Sequence, residues 1–282
     1  MIEEVCRLDR RMRLEHRALL ASGEANQALV ARIDAYLDRY CRASGITPEQ
    51  IVESCFRFVT RYASDLENFL RTRKYPHQLP DSLAYRPTRS EYDLALMLST
   101  VLTVPRHGIM RWLFEQDQDL GETLSIGVGS GLELDLVRSR VSCVTAYDPE
   151  IQPFCLQEFR EARFIEREFA PEAGQSYDTV LLIELLEHLE RPYDLLTQCV
   201  AELRPNGRML VTLATNLPQF DHLFNFEVPK EFEARAARLG MDVVSRQTLY
   251  HSFFGGAWKE GPKVSNTLYE LRKPVARSTP TC

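Results

Sequence analysis

No stretch of this chain is long and apolar enough to span a bilayer, which takes roughly 18 to 20 consecutive apolar residues. The first five residues, Met1 to Val5, lack the basic start and apolar centre of a secretory signal. A cytoplasmic protein is the expectation. Positive charge is not in excess either: the formal net charge of -6 leaves no bulk electrostatic drive toward nucleic acid. The seven cysteines contain no C-x-x-C pair and no metal-binding spacing, so they read as reduced, mostly core residues. No Ser/His/Asp order suggests hydrolysis, and no Gly-Lys-Ser/Thr ending marks an NTPase phosphate loop. Internal repeats and low-complexity tracts are also missing.

The chain does have two kinds of periodicity. Up to about Leu70, apolar residues recur at three and four, as in Leu29, Ile33, Tyr36, Leu37 and Tyr40, which predicts helices. Thr47, Pro48 and Gln50 supply an N-cap, a first-turn proline and a capping box for a helix carrying Ile51 to Leu70. Pro76, Pro80 and Pro87 then predict a linker or an ordered crossing loop. A densely apolar helix follows from near Ser90, and a shorter one is expected from about His107 to Gln116.

After Gly121 the pattern changes to short strands alternating with helices. Strands are expected at 123–126, 143–147, 163–166, 179–183, 208–213, 241–249 and 265–271. The last two have no helix between them, only a turn through Phe253 to Ala257, so they should pair antiparallel at the sheet edge. The expected fold is α/β: a Rossmann-like, mostly parallel sheet over 119–282, preceded by an N-terminal helical cap over 1–118.

The chemistry concentrates in Leu124 to Gly131, which reads Leu-Ser-Ile-Gly-Val-Gly-Ser-Gly. A buried strand runs there into three glycines, Gly127, Gly129 and Gly131, which allow a tight turn and a close backbone approach to a ligand. One strand later, Asp148 is placed to accept hydrogen bonds from ribose hydroxyls. A nicotinamide-binding unit uses a similar loop and acid. Glu184 to His188 and the antiparallel terminal pair argue against that unit. Two further segments, Ser176 to His188 and Leu203 to Val211, complete the pattern.

Together these four segments resemble the class I S-adenosylmethionine-dependent methyltransferases, over roughly 121–273. The resemblance implies S-adenosylmethionine as cofactor, with Gly127, Gly129 and Gly131 around its methionine portion and Asp148 on its ribose. Glu168 and Phe169 would border adenine. This chain departs from the family at Ser125, where an acid usually holds the cofactor's ammonium group. Glu133 or Glu184 would have to substitute, or the ammonium would lack a strong anion.

Glu184, Glu187 and His188 are spaced i, i+3 and i+4, as on one helical face. With His222 they resemble the two-glutamate, two-histidine metal site of the small-RNA 2′-O-methyltransferases. The same string lines the cofactor pocket in relatives without a metal, so no metal is assigned and the ion stays an alternative. His188 and His222 are the candidate proton acceptors, each with a plain hydrogen-bonded role as the other reading. Tyr92 and Arg106, flanking the dense helix, are the candidate substrate residues, because caps of this kind close over the cofactor's amino acid end.

Methyl transfer to a small-molecule substrate is the first expectation. Ser125 keeps a second open: attack on the cofactor's carbon chain, releasing methylthioadenosine with azetidine-2-carboxylate, or aminobutanoyl transfer. The third is a noncatalytic protein of the same fold. No nucleic-acid or membrane partner is expected, and neither the acceptor nor the oligomeric state can be read from the sequence.

Overall fold

The helical period of the first seventy residues becomes four helices in a computed structural model that describes residues 1–78, 87–251 and 263–275. They are α1 (Ile2–Leu8), α2 (Arg10–Ala21), α3 (Gln27–Ser44) and α4 (Pro48–Thr72). On α3, Ile33, Tyr36, Leu37 and Tyr40 are buried along one stripe, and Gly45 ends the helix at a left-handed φ of 66°. The α4 capping box forms as the residue types require. Thr47 accepts from the Gln50 amide, and the Gln50 side chain returns to the Thr47 amide.

At the start of the proline-rich stretch, Tyr75 and His77 are pinned. The Tyr75 hydroxyl donates to Asn225 Oδ1 at 2.6 Å, and the His77 ring meets the His222 carbonyl at 2.9 Å. Pro80 and the turn from Phe253 to Ala257 lie outside the described residues. Next come α5 (Arg89–Ser99), with its own Thr88/Glu91 capping box, and α6 (Val104–Phe114). The latter begins three residues before the expected start, because Pro105 fits the first turn rather than preceding it.

All seven expected strands form: β1 (Gly121–Ile126), β2 (Val141–Asp148), β3 (Arg163–Glu166), β4 (Tyr177–Leu182), β5 (Leu203–Thr215), β6 (Asp242–Tyr250) and β7 (Ser265–Arg272). Their spatial order is β3-β2-β1-β4-β5-β7-β6, with β7 antiparallel to both β5 and β6. The strand order reverses between β1 and β4, so the crevice at their carboxyl ends is where a ligand binds in such sheets. That crevice lies between Gly127 and Glu184.

Helices α7 (Leu132–Val137) and α8 (Pro153–Glu158) share one apolar core with the helices before β1. Helices α9 (Pro192–Glu202) and α10 (Pro229–Arg238) belong to a second core on the opposite face. Of the six described cysteines, all free, only Cys143 is exposed, and burial pushes Cys41, Cys55 and Cys155 up to about 12. Among the described residues no helix is long and apolar enough to cross a membrane.

Candidate functional site

The three loop glycines all have positive φ, at 75° for Gly127, 56° for Gly129 and 81° for Gly131. Their surroundings differ. A Cβ on Gly131 would lie 2.8 Å from the Tyr36 hydroxyl and 2.9 Å from Cys155 Sγ, and one on Gly127 would lie 2.8 Å from Leu185 Cδ1. Gly129 faces open space, with only an Arg89 nitrogen 4.0 Å from its notional Cβ. Its flank is therefore the approach left to a ligand. Tyr36 also donates to the Ser130 carbonyl at 2.7 Å, so α3 holds the loop from behind.

Asp148 ends β2 beside this opening, buried, and both its oxygens are engaged. Oδ1 accepts from the Glu150 amide at 2.9 Å, and Oδ2 from the Gly129 amide at 3.0 Å and from Arg89 at 3.3 Å. A carboxylate offers about four lone-pair directions, so ribose hydroxyls would compete with the arginine. Sequence reading missed Arg89, for which the only signal is its place at the first turn of α5.

Arg89 also donates to Asp93 at 3.2 Å, and the Tyr40 hydroxyl reaches Asp93 at 3.4 Å. Burial pushes the Asp93 carboxyl up to about 7, despite Arg89. A carboxyl raised above its unfolded value favours folding while protonated, and that stability is lost as pH rises through the folded pKa. Between about pH 5 and about pH 8, Asp93 should therefore cost on the order of 2 kcal/mol of stability. Asp93→Asn is expected to flatten that slope. Urea unfolding of both proteins at the two pH values checks it, and parallel losses would count against the assignment.

Glu168 and Phe169 follow β3 as expected. Phe169 turns its ring onto Tyr147 at 5.1 Å, while Glu168 is exposed. Only their place in the chain links them to adenine.

Glu184, Glu187 and His188 do not share a helical face. Glu184 sits at a left-handed φ of 50°, and Leu186–His188 is a single 3-10 turn. The cause is the hold on Glu184: its amide donates to Thr212 Oγ1 at 2.6 Å. Its carboxylate accepts from Thr212 at 2.8 Å, from Asn266 at 3.0 and 3.1 Å, and from Arg106 at 2.8 Å. The Glu187 carbonyl then accepts from the Leu223 and Phe224 amides, which stitches the turn to the loop after β5. That contact brings His222 to His188, with ring centroids 4.8 Å apart and edge to face.

Each histidine is oriented by an oxygen. His222 turns Nδ1 to the Leu217 carbonyl at 2.7 Å. His188 turns Nδ1 to Asp221, at 3.2 Å from the backbone oxygen and 3.4 Å from Oδ2. Neither Nε2 has a hydrogen-bond partner among the described residues, which leaves both to a ligand. Burial, with His188 beside it, lowers His222 to about 4, so it is neutral at physiological pH. Glu187 is buried, and Oε2 has no partner among the described residues; burial and the neighbouring Glu184 push it well up. Ligand atoms of Glu187, His188 and His222 all lie within 4.8 Å of one another.

Buried Ser125 carries no charge, but the crevice does not lack acids. Burial raises Glu133, opposed by Arg106 and reinforced by Glu184, so these three charges act on one another at the strand ends. Tyr92 takes part differently from Arg106, accepting from Gln219 at 3.2 Å. It thereby steadies the loop that carries Asp221 and His222.

Several of these groups form the floor of a cavity of about 530 Å³ that rises between α2, α4 and α5. Its floor includes Arg106, Glu184, Glu187, His188, His222 and Asn266. The last of these was missed by sequence reading, along with Asp221 and His251. Burial lowers His251 to about 4, and its Nε2 meets Asn266 Oδ1 at 2.5 Å, which fixes the amide toward Glu184.

A family model described as a methyltransferase domain matches residues 97–253. The ubiquinone biosynthesis O-methyltransferase of Agrobacterium fabrum is 26% identical over 181 residues, covering 54% of this chain and 72% of that protein. Its counterpart in Rhizobium rhizogenes is 26% identical over 162 residues, 48% and 65% of the two chains. In fold, an O-methyltransferase family protein from Burkholderia thailandensis superposes on 81% of this chain and 72% of its own with a TM-score of 0.51, at 13% identity. The glycine loop, with Gly129 open and Asp148 beside it, fits an adenosyl group. The chain belongs to the methyltransferase-domain family, and its activity is S-adenosylmethionine-dependent methyl transfer.

Proposed function

We propose that the enzyme methylates a hydroxyl of a small, largely apolar acceptor held under the helices of 1–118, with His188 as the proton acceptor. The observation that carries this is the pairing of Asp221 with His188, which stands on the polar floor of a cavity whose walls are largely apolar. The two relatives described above are named as O-methyltransferases, which supports an oxygen nucleophile.

S-adenosylmethionine, when bound, supplies a methyl carbon already activated by its sulfonium. The protein therefore has to orient, dry and deprotonate. Asp148 and the loop amides would hold the ribose and methionine ends, while Glu133 and Glu184 would answer the ammonium charge that Ser125 cannot. The helices exclude water and fix the acceptor in line. His188 takes the hydroxyl proton, and Asp221 keeps its tautomer and balances the imidazolium. His222, neutral and buried, accepts a hydrogen bond and positions the acceptor. Tyr92 supports both through Gln219.

Incubation with the cofactor alone, then with small phenols and catechols, tests the reading by mass spectrometry. S-adenosylhomocysteine is expected only with an acceptor, together with an O-methylated product. Methylthioadenosine and azetidine-2-carboxylate from the cofactor alone would replace this reading with the cyclase.

A divalent ion is the second reading, favoured by the unpartnered Glu187 Oε2 beside two imidazoles whose Nδ1 atoms are tied back to protein oxygens, as metal-bound histidines are. Glu187, His188 and His222 would hold it, and this oxygen and nitrogen set suits Mg, Mn or Zn. The ion would act as a Lewis acid on the hydroxyl. Dialysis against a chelator should abolish turnover, and Mg or Mn restore it, if the ion is required. Undiminished turnover leaves His188 acting as a base alone.

A further inference from the structure

We infer that the acceptor is amphipathic, with its hydroxyl-bearing head at the carboxyl ends of the central strands and an alkyl chain lying in the channel between α2, α4 and α5. This rests on the hydroxyl-transfer reading of the same site. The cavity of about 530 Å³ is lined by none of Gly127, Gly129, Gly131 or Asp148, so it meets the cofactor's cleft only at its floor, at Arg106 and Glu184, and its helical walls lie beyond that cleft. It falls within the size that pockets for ligands of many atoms occupy, roughly 300 to 1,000 Å³.

Polarity in the cavity is segregated by position. Charged and hydrogen-bonding groups sit at the floor, and Asp9, Arg11 and Glu15 line the far end. Between them run apolar walls that include Met12, Leu19, Phe58, Val59, Leu66 and Leu102. The shape is elongated. On α4 the lining residues run from Cys55 to Leu66 at three- and four-residue steps, which along a helix is roughly 17 Å. The far end reaches solvent, because Arg11, Glu15, Ala18 and Phe56 are exposed, Phe56 at 63%. A head group alone would leave this wall wetted. An apolar chain is complementary to it throughout and could enter past Phe56.

Calorimetric titration of the whole protein with 1-alkanols of about four to about twelve carbons measures the channel without depending on methyl transfer. Affinity is expected to rise about fourfold per methylene and then level off when the channel is full. Ala63→Phe narrows the α4 wall and is expected to shorten the chain length at which affinity levels off, with cofactor affinity unchanged. Should that variant fail to fold, Phe56→Ser at the exposed end is expected to weaken the longest alkanols by about tenfold and spare the shortest.

An affinity that is flat along the series overturns the inference, as does a folded Ala63→Phe with an unaltered plateau. Methylation of short catechols with no chain-length preference leaves the hydroxyl-transfer reading standing and removes the channel. Chain-dependent alkanol binding with no phenol methylated at any chain length removes the hydroxyl-transfer reading and keeps the channel.

Discussion

Asp148→Ala is expected to weaken S-adenosylmethionine binding on the order of 100-fold, since two hydroxyl hydrogen bonds to a carboxylate are lost at about 1.5 kcal/mol or more each. A second consequence follows from the packing around the carboxylate. Asp148 Oδ2 holds the Gly129 amide as well as Arg89, so its removal also frees the loop at the one glycine whose flank is open. Asp148→Asn keeps an acceptor for Gly129 and should lose less. Arg89→Ala points the other way, because it removes the group that competes for the carboxylate. That variant is expected to bind cofactor as tightly as the parent or more so. Calorimetry on the three variants reads all of this, and an Asp148→Ala affinity equal to the parent's would remove the ribose assignment.

Much of the fold was legible because it is written in local periodicity. A buried parallel strand such as Val180 to Leu182 is a continuous apolar run, and the Thr47 capping box is a four-residue signal. The antiparallel pair followed from the missing helix between Leu249 and Ser265, although that β7 inserts beside β5 needs the sheet itself.

The site was legible only in part, for a physical reason. Gly127 to Gly131 and Asp148 act within one strand-loop-strand unit, whereas Arg89 reaches Asp148 across 59 residues and Tyr92 reaches Gln219 across 127. No spacing rule covers such distances. The expected helical face of Glu184, Glu187 and His188 failed because spacing presumes a helix. The hydrogen bonds of Glu184 to Thr212, Asn266 and Arg106 outweigh the cost of a left-handed residue, about 1 to 2 kcal/mol. The residues still converge on one cavity, by tertiary stitching rather than by helical phase.

His188→Ala should lower kcat by about 100- to 10,000-fold, the usual contribution of a positioned proton acceptor. Cofactor affinity should stay near the parent's, because His188 lines the acceptor cavity, which none of Gly127, Gly129, Gly131 and Asp148 does. His222→Ala is expected to act differently. Its ring is buried, packs edge to face on His188 and holds the Leu217 carbonyl, so its loss both unseats the acceptor and lets His188 turn. KM for the acceptor should rise along with the fall in kcat. Asp221→Asn tests the orientation separately: it keeps the backbone oxygen that His188 Nδ1 meets at 3.2 Å and removes the charge at 3.4 Å. A fall in kcat of about tenfold with KM unchanged is expected there, since the imidazolium loses its counter-charge while the ring keeps its tautomer. Steady-state kinetics with a phenol that serves as methyl acceptor, beside calorimetry for the cofactor, separates the three. A His188→Ala enzyme turning over at the parental rate would take the proton-transfer step away from this histidine.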